Sequence, residues 1–441
     1  MLHLNKISVA LMKKILLTLC ISVSLTGCSL KKSEEKSEGK YPVIDVVNSL
    51  GKYQRAYCSD YFSSIELIPL ETNTNSLIGG EPVVLANDSL IFICSYISYN
   101  FIPPRLNIHV FNYLGKYLNK IGAIGQGPGE YIGVSDFFLN HEKPTVFVHD
   151  PRSILEYECN GQFIGSFPKP NIGELSLMNI SYLENDIFMG SVSYSYGNRF
   201  KYFLFDRTGN IVKEIPGCCF YDANSQLRNG LLSTINIFRL DRRLYVKDYI
   251  NDTLYTIVDL NLQPVSFFDF GKYAYPLGKI NSEGQKEIMP LNNDGTTNIM
   301  KINQIIGTPN HYFYSIYVPP IFPRPKARTT FFLGIKVAGE ADVHGIYDIE
   351  KDVNILLDTD RHYQKGLIND INGGLSFFPR YYAGNDVVVD IWQVEDMKEL
   401  LTEDYFASLP IKDPQAHLKL RELLKNLKDD DNPVVVIAKL K

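Results

Sequence analysis

Tyrosine and arginine gather in a few long segments of this chain: SYISYNFIPPR (95–105), DPRS (150–153), SYSYGNRF (193–200), KDYINDT (247–253) and YVPPIFPRPKAR (317–328). Within them stand Tyr96, Tyr99, Arg105, Arg152, Tyr194, Tyr196, Arg199, Tyr249 and Arg324, the candidate ligand-binding residues. Aromatic planes beside forked cations are the chemistry that holds sugars, peptides or acidic groups. The blander reading is that the same residues line loops and cap the ends of sheets. Signatures of catalysis are absent from the sequence. There is no Gly-x-Ser-x-Gly elbow, no His-Glu-x-x-His and no Cys-x-x-Cys. Four scattered histidines, His109, His149, His311 and His344, are the ones that separate strands could bring together around a metal. The glycines of GQGPGEY (125–131) could cradle an anion with their amides. That segment opens no helix and lacks the Gly-Lys-Ser/Thr of a P-loop, so it reads as a structural linker. The run Asp429-Asp430-Asp431 reads as a solvated helix end, because successive side chains rarely converge on one cation.

What positions these segments is a repeated strand grammar. Residues 108–110 and 117–121 alternate apolar and polar residues around a turn at Gly115, and the pattern returns at 145–149, 154–158 and 162–167 with Asn160-Gly161 at its turn. Period-2 alternation bounded by Asn-Gly chemistry signals antiparallel hairpins. Further turns at Gly209 and Asn261 set a step of about 50 residues, a period that fits a propeller better than a sandwich. The fold class expected is therefore all-β, a six-bladed β-propeller with short C-terminal helices and a closing terminal strand. The strands expected in the third to fifth units are 186–192, 202–206, 210–215, 235–240, 243–248, 253–259, 265–270, 302–307, 311–317, 329–337, 345–348 and 353–357. A sixth unit is placed at 372–378 and 386–393, with a short helix at 282–288 inside an insertion at 273–300. Helices follow at 394–401 and 414–427. The apolar run 433–440 is expected to pair with an early strand at 65–70 and fasten the ring. Strands of a blade alternate in direction, so the Gly115, Gly161 and Gly209 turns fall on one face and the long Tyr/Arg segments on the other.

Bulk composition narrows the classes. With 44 Lys+Arg against 49 Asp+Glu the net charge is −5, which offers no basic face for nucleic acid. An aromatic content of 12% argues for a folded, strand-rich chain rather than a disordered one. Seven cysteines with no zinc or dithiol spacing read mostly as buried free thiols.

The N-terminus reads as an export leader. Met12-Lys13-Lys14 precedes a short apolar body, too short for a membrane span, so residues 1–27 form a signal peptide whose start falls at Met12. Leu25-Thr26-Gly27-Cys28 resembles the bacterial lipobox, which makes Cys28 the lipid anchor. Residues 28–40, polar and charged, form a flexible tether. Residues 41–441 remain as a single propeller domain.

Three stretches together, FSSIELIPLETN (62–73), KIGAIGQGPGEY (120–131) and DDDNPVVVIAKLK (429–441), resemble the six-bladed β-propeller lipoproteins of Gram-negative gut-type bacteria, NHL-like in outline. The resemblance implies the six-bladed fold and a lipid-anchored envelope location, and no catalytic residues. The expectation is a non-enzymatic binding or scaffold protein of the cell envelope, an outer membrane lipoprotein on the periplasmic or exposed side. Its partners would be the membrane through the N-terminal lipid and a glycan, peptide or envelope protein, with no cofactor or metal and no nucleic acid. The alternative is a propeller enzyme, a lyase or hydrolase with its site in the central channel.

Overall fold

The computed structural model describes residues 41–96, 107–194, 198–220, 235–289, 298–327, 330–332, 335–337 and 342–441. Six sheets follow one another along the chain, each with four antiparallel strands, and the fourth carries a fifth strand, Val43–Asp45, paired in parallel on its outer edge. The first comprises Glu81–Ala86, Leu90–Tyr96, Ile108–Asn112 and Tyr117–Ile121; the second, Asp136–Leu139, Thr145–His149, Ile154–Glu158 and Phe163–Phe167. The third comprises Ile180–Glu184, Ile187–Ser191, Phe200–Asp206 and Ile211–Pro216; the fourth, Ile235–Leu240, Arg243–Asp248, Thr253–Val258 and Asn261–Asp269. The fifth is built from Lys301–Gly307, His311–Tyr317, Asp342–Asp348 and Val353–Leu356. The sixth takes Tyr381–Gly384, Val387–Trp392 and Val434–Leu440 from the end of the chain and Phe62–Pro69 from its beginning.

Burial follows from this stacking. Middle strands are covered on both faces by neighbouring sheets, so Thr145–His149 is buried throughout, whereas the outer strand Phe163–Phe167 alternates. Apolar clusters fill the space between successive sheets. Phe92 and Val110 meet Phe137 and Val146; Phe147 meets Phe188; Leu204 meets Leu244; Phe268 meets Tyr314; Phe313 meets Phe62; and Val435 meets Ile91, which joins the sixth sheet to the first. This is the architecture of a β-propeller.

The ring is fastened where the two chain ends pair, with Phe62 opposite Leu440 and Pro69 opposite Val434. Asn432, 3% exposed, locks the junction. Its amide donates to the Glu71 and Ser76 carbonyls at 2.8 Å each, and its side-chain oxygen accepts from the Ile78 amide at 2.9 Å. Two of the stretches that carried the family resemblance therefore meet in space. The third, around GQGPGEY, is filled by its own carboxylate: Glu130 accepts from the Gly127 amide at 2.8 Å, and a Cβ on Gly125 would lie 1.9 Å from a Glu130 oxygen. With its amide already bonded internally, the loop acts as a linker.

Several expected elements differ. The run at 329–337 is not a strand of the fifth sheet; it holds a separate hairpin, Thr330–Phe332 with Ile335–Val337, and the third strand is Asp342–Asp348. Alternation alone cannot distinguish a decorating hairpin from a blade strand. Residues 372–378 form a buried irregular link, and the inner strand of the sixth sheet is Tyr381–Gly384. In the insertion, 282–288 is a turn and the strand Lys286–Ile288 rather than a helix. The first and second strands of the first sheet, Ile180–Glu184 of the third and the short helix Glu403–Ala407 carried too weak a pattern to be read. The leader, Cys28 and the tether lie outside the described residues.

Candidate functional site

The direction of the strands sorts the connections as expected. The tight turns at Gly115, Gly161 and Gly209, all at positive φ, link third to fourth strands, while the long segments emerge from the opposite ends. Of the Tyr/Arg candidates with described side chains, four are bound internally. Arg152 pairs with Asp150 at 3.0 Å and donates to the Glu130 carbonyl at 3.1 Å. Tyr194 is buried, donating to Asp248 at 2.7 Å. Arg199 pairs with Glu283 at 2.5 Å, and Tyr249 stacks under the Lys301 ammonium at 5.0 Å. Tyr96 ends a strand of the first sheet; Tyr99, Arg105 and Tyr196 lie outside the described residues.

Arg324 is placed differently. It lines an open cleft of about 500 Å³ with Phe322, Pro325, Lys326, Ala327 and Tyr363, a volume in the range of small-ligand sites. Two connections of the fifth sheet build it: the proline-rich segment after His311–Tyr317 and the link that follows Val353–Leu356. Prolines at 319, 320, 323 and 325 fix the backbone of the first connection. It is pinned from three sides. The Tyr53 hydroxyl donates to the Pro323 carbonyl at 2.7 Å, Thr359 donates to the Lys326 carbonyl at 2.8 Å, and Tyr273 meets the Phe322 ring edge-on at 4.8 Å. Burial pushes the Tyr53 phenol upward, while the nearby Arg324 charge draws it back.

The second wall is a strained loop organised by Asp360. Its buried carboxylate accepts from the amides of His362 and Gln364 at 2.8 Å each and from the Gln364 side chain at 3.0 Å. That clasp leaves Tyr363 at φ 61 and 51% exposed. An aromatic residue rarely adopts a left-handed backbone, and such outliers concentrate at ligand sites. Among the described residues neither Arg324 nor Lys326 makes an ion pair. The cleft thus offers two cations, an exposed phenol and an apolar edge to an anion that carries a ring. Tyr363 escapes the sequence reading because a lone tyrosine in a polar link has no pattern to mark it, whereas Phe322 lies in the proline-rich segment already singled out.

Two other polar clusters do less. Ser59 donates to Asp370 at 2.6 Å, and Lys412 lies 3.0 Å from the same carboxylate. The hydrogen bond and charge of Asp370 raise the Lys412 ammonium above its usual range, and that ammonium donates to the Ser59 hydroxyl rather than accepting its proton. The four histidines stay apart: His109 belongs to the first sheet and His149 to the second, while in the fifth His311 faces Asp348 at 3.6 Å and His344 stacks on Phe378 at 3.9 Å. Among the described residues no three His, Cys, Asp or Glu side chains group as metal ligands. Asp429 pairs with Lys398, and Asp431 accepts from the Lys428 amide at 2.8 Å.

Fold and cleft together define a β-propeller with one elaborated face. The chain belongs to the family described as a domain of unknown function, DUF4934, whose model matches residues 41–439. No curated protein matches it. Among solved structures it is similar to a Bacteroides fragilis protein described as a "putative exported protein", at 17% identity and a TM-score of 0.58, covering 90% of this chain and 99% of that one. It is also similar to a DUF4221 member from Bacteroides vulgatus, at 10% identity and a TM-score of 0.47, over 86% of this chain and 97% of that one. The first likeness supports the fold; the second is too loose to carry an argument.

Proposed function

We propose that this protein is a lipid-anchored β-propeller of the cell envelope that binds an acidic ligand, a glycan or a peptide, in the cleft of the fifth sheet. The observation that carries the reading is the pair Arg324 and Lys326, without counter-ions among the described residues, beside the exposed Tyr363 ring. A carboxylate or sulfate would meet the guanidinium fork, and a pyranose or aromatic face would lie against Tyr363. The envelope location is supported by the leader, by Cys28 in its lipobox-like setting, and by the similarity to a protein described as exported. The anchor would be the lipid at Cys28; among the described residues no helix is long and apolar enough to cross a membrane.

The test uses residues 41–441 on an array of neutral and acidic oligosaccharides and peptides. Retention of acidic members by the wild type, lost in the Arg324→Ala/Lys326→Ala variant at unchanged melting temperature, is the expected result. Retention that ignores both substitutions, or that favours neutral members, would overturn it.

A further inference from the structure

Cys218 and Cys219 stand at the junction of the third and fourth sheets, and neither the ligand cleft nor the packing of the blades makes use of their chemistry. Their sulfurs are 3.0 Å apart. Cys219 is fully buried and Cys218 only half so. The Cys218 sulfur also lies 3.3 Å from the Tyr194 hydroxyl, which in turn donates to the buried Asp248. The backbone around the pair is held firmly. The Lys286 amide donates to the Cys218 carbonyl at 2.9 Å, and Gln285 donates to the Gly217 carbonyl at 3.0 Å. Gly217 itself admits the Tyr194 ring, since a Cβ there would stand 2.8 Å from its Cε1. The two thiols are thus pressed together by a frame that the surrounding sheets fix.

We propose that Cys218 and Cys219 form a vicinal dithiol site that a small disulfide oxidant converts to a ring disulfide. Exposure sets the order of events. The Cys218 thiolate attacks the external disulfide RS–SR, giving a mixed Cys218–S–SR and releasing RS⁻. The Cys219 thiolate then attacks the Cys218 sulfur and displaces the second RS⁻. One external disulfide is reduced to two RSH, which take up the two protons lost by the cysteines. The neighbouring Cys218 thiol and burial push the reduced Cys219 thiol upward, so the less buried Cys218 is the sulfur that reacts first. Adjacent Cα atoms, about 3.8 Å apart, are closer than the usual disulfide spacing of about 4.4–6.8 Å, so the ring is strained and readily reduced. Closing it takes the Cys218 sulfur out of its contact with Tyr194 at the inter-sheet junction.

The experiment equilibrates folded residues 41–441 with oxidised and reduced glutathione at a series of ratios, then alkylates and maps the peptides by mass spectrometry. The expected result is an unalkylated Cys218–Cys219 peptide lighter by two hydrogens at oxidising ratios, and a doubly alkylated one at reducing ratios. Phenylarsine oxide, which chelates vicinal dithiols, should block alkylation of the reduced form only. In Cys219→Ser the product should stop at the glutathione adduct on Cys218. Two alkylatable thiols at every ratio, a disulfide joining either cysteine to Cys58, Cys94 or Cys159, or a stable adduct at Cys218 in the wild type would each overturn the proposal.

Discussion

Replacing Arg207 by alanine tests how the sheets are held to one another. Arg207 sits in the last turn of the third sheet, and its guanidinium grips Glu156 of the second sheet with bonds of 2.6 and 3.1 Å while pairing with Asp186 at 2.7 Å. It also lies over the rings of Phe147 and Phe167, 5.5 and 5.3 Å from their centres. Those charges raise the guanidinium well above its ordinary value. Truncation leaves the Glu156 carboxylate, 5% exposed, accepting from the Thr145 hydroxyl at 3.1 Å but without its cation. Breaking a buried pair in this way costs about 3 kcal/mol, taken at the low end because the arginine is partly solvated. Spread over the ~400 residues of Pro42–Lys441, an unfolding entropy of about 2.1 cal/mol/K per residue makes that roughly 4 °C. The assay is differential scanning calorimetry of Arg207→Ala, Glu156→Gln and the double variant. The double should be less destabilised than the sum of the singles by about 1–2 kcal/mol, because each single strands the other's partner. A shift under about 1 °C for Arg207→Ala, or strictly additive losses, would show that this pair does not hold the second and third sheets together.

Two further predictions concern closure and pH. Asn432→Ala should cost about 2–4 kcal/mol in thermal unfolding, because it strands buried backbone groups at Glu71, Ser76 and Ile78 where the chain ends meet. Burial pushes His109 and His149 down to about 4 and His344 to about 3, whereas it pushes Asp136 up to about 7 and Asp252 to about 6. The histidines stay neutral in the fold and charge when it opens, so stability present above about pH 6.5 is lost as pH falls toward 4. The carboxyls act oppositely and offset part of the loss, because their folded forms hold protons that the unfolded chain releases above about pH 3.9. The melting temperature should therefore fall on acidification from pH 7 to 5; Asp136→Asn should raise it at pH 8 and steepen the fall. A melting temperature that climbs on acidification would contradict this balance.

The fold was legible where alternation was strong and bounded by turn chemistry. Thr145–His149, Ile154–Glu158 and Arg243–Asp248 lie where the pattern puts them, because middle strands are covered on both faces, and so does the edge strand Ile235–Leu240, whose apolar and polar residues interleave. Pairing of the terminal strands could be foreseen because an apolar run such as Val434–Leu440 needs a partner on its edge. The errors fall where a segment is buried without being periodic, as at 372–378, or periodic without belonging to a blade, as at 330–337. The cleft was legible in part: Arg324 stood in a segment marked by its prolines. Tyr363 did not, because its significance lies in a backbone conformation imposed by Asp360, and φ cannot be read from residue type. Tyr194 looked like a surface ligand-binder, yet the buried Asp248 and Lys201 draw it inward.

Hydrogen–deuterium exchange of residues 41–441, with and without the acidic ligand retained on the array, addresses the elaborated face directly. Slowed exchange is expected at 317–327 and 357–366, the two connections that line the cleft, with no change at the tight turns 113–116, 159–162 and 207–210. Protection confined to those turns, or spread evenly over both faces, would contradict ligand binding in the cleft.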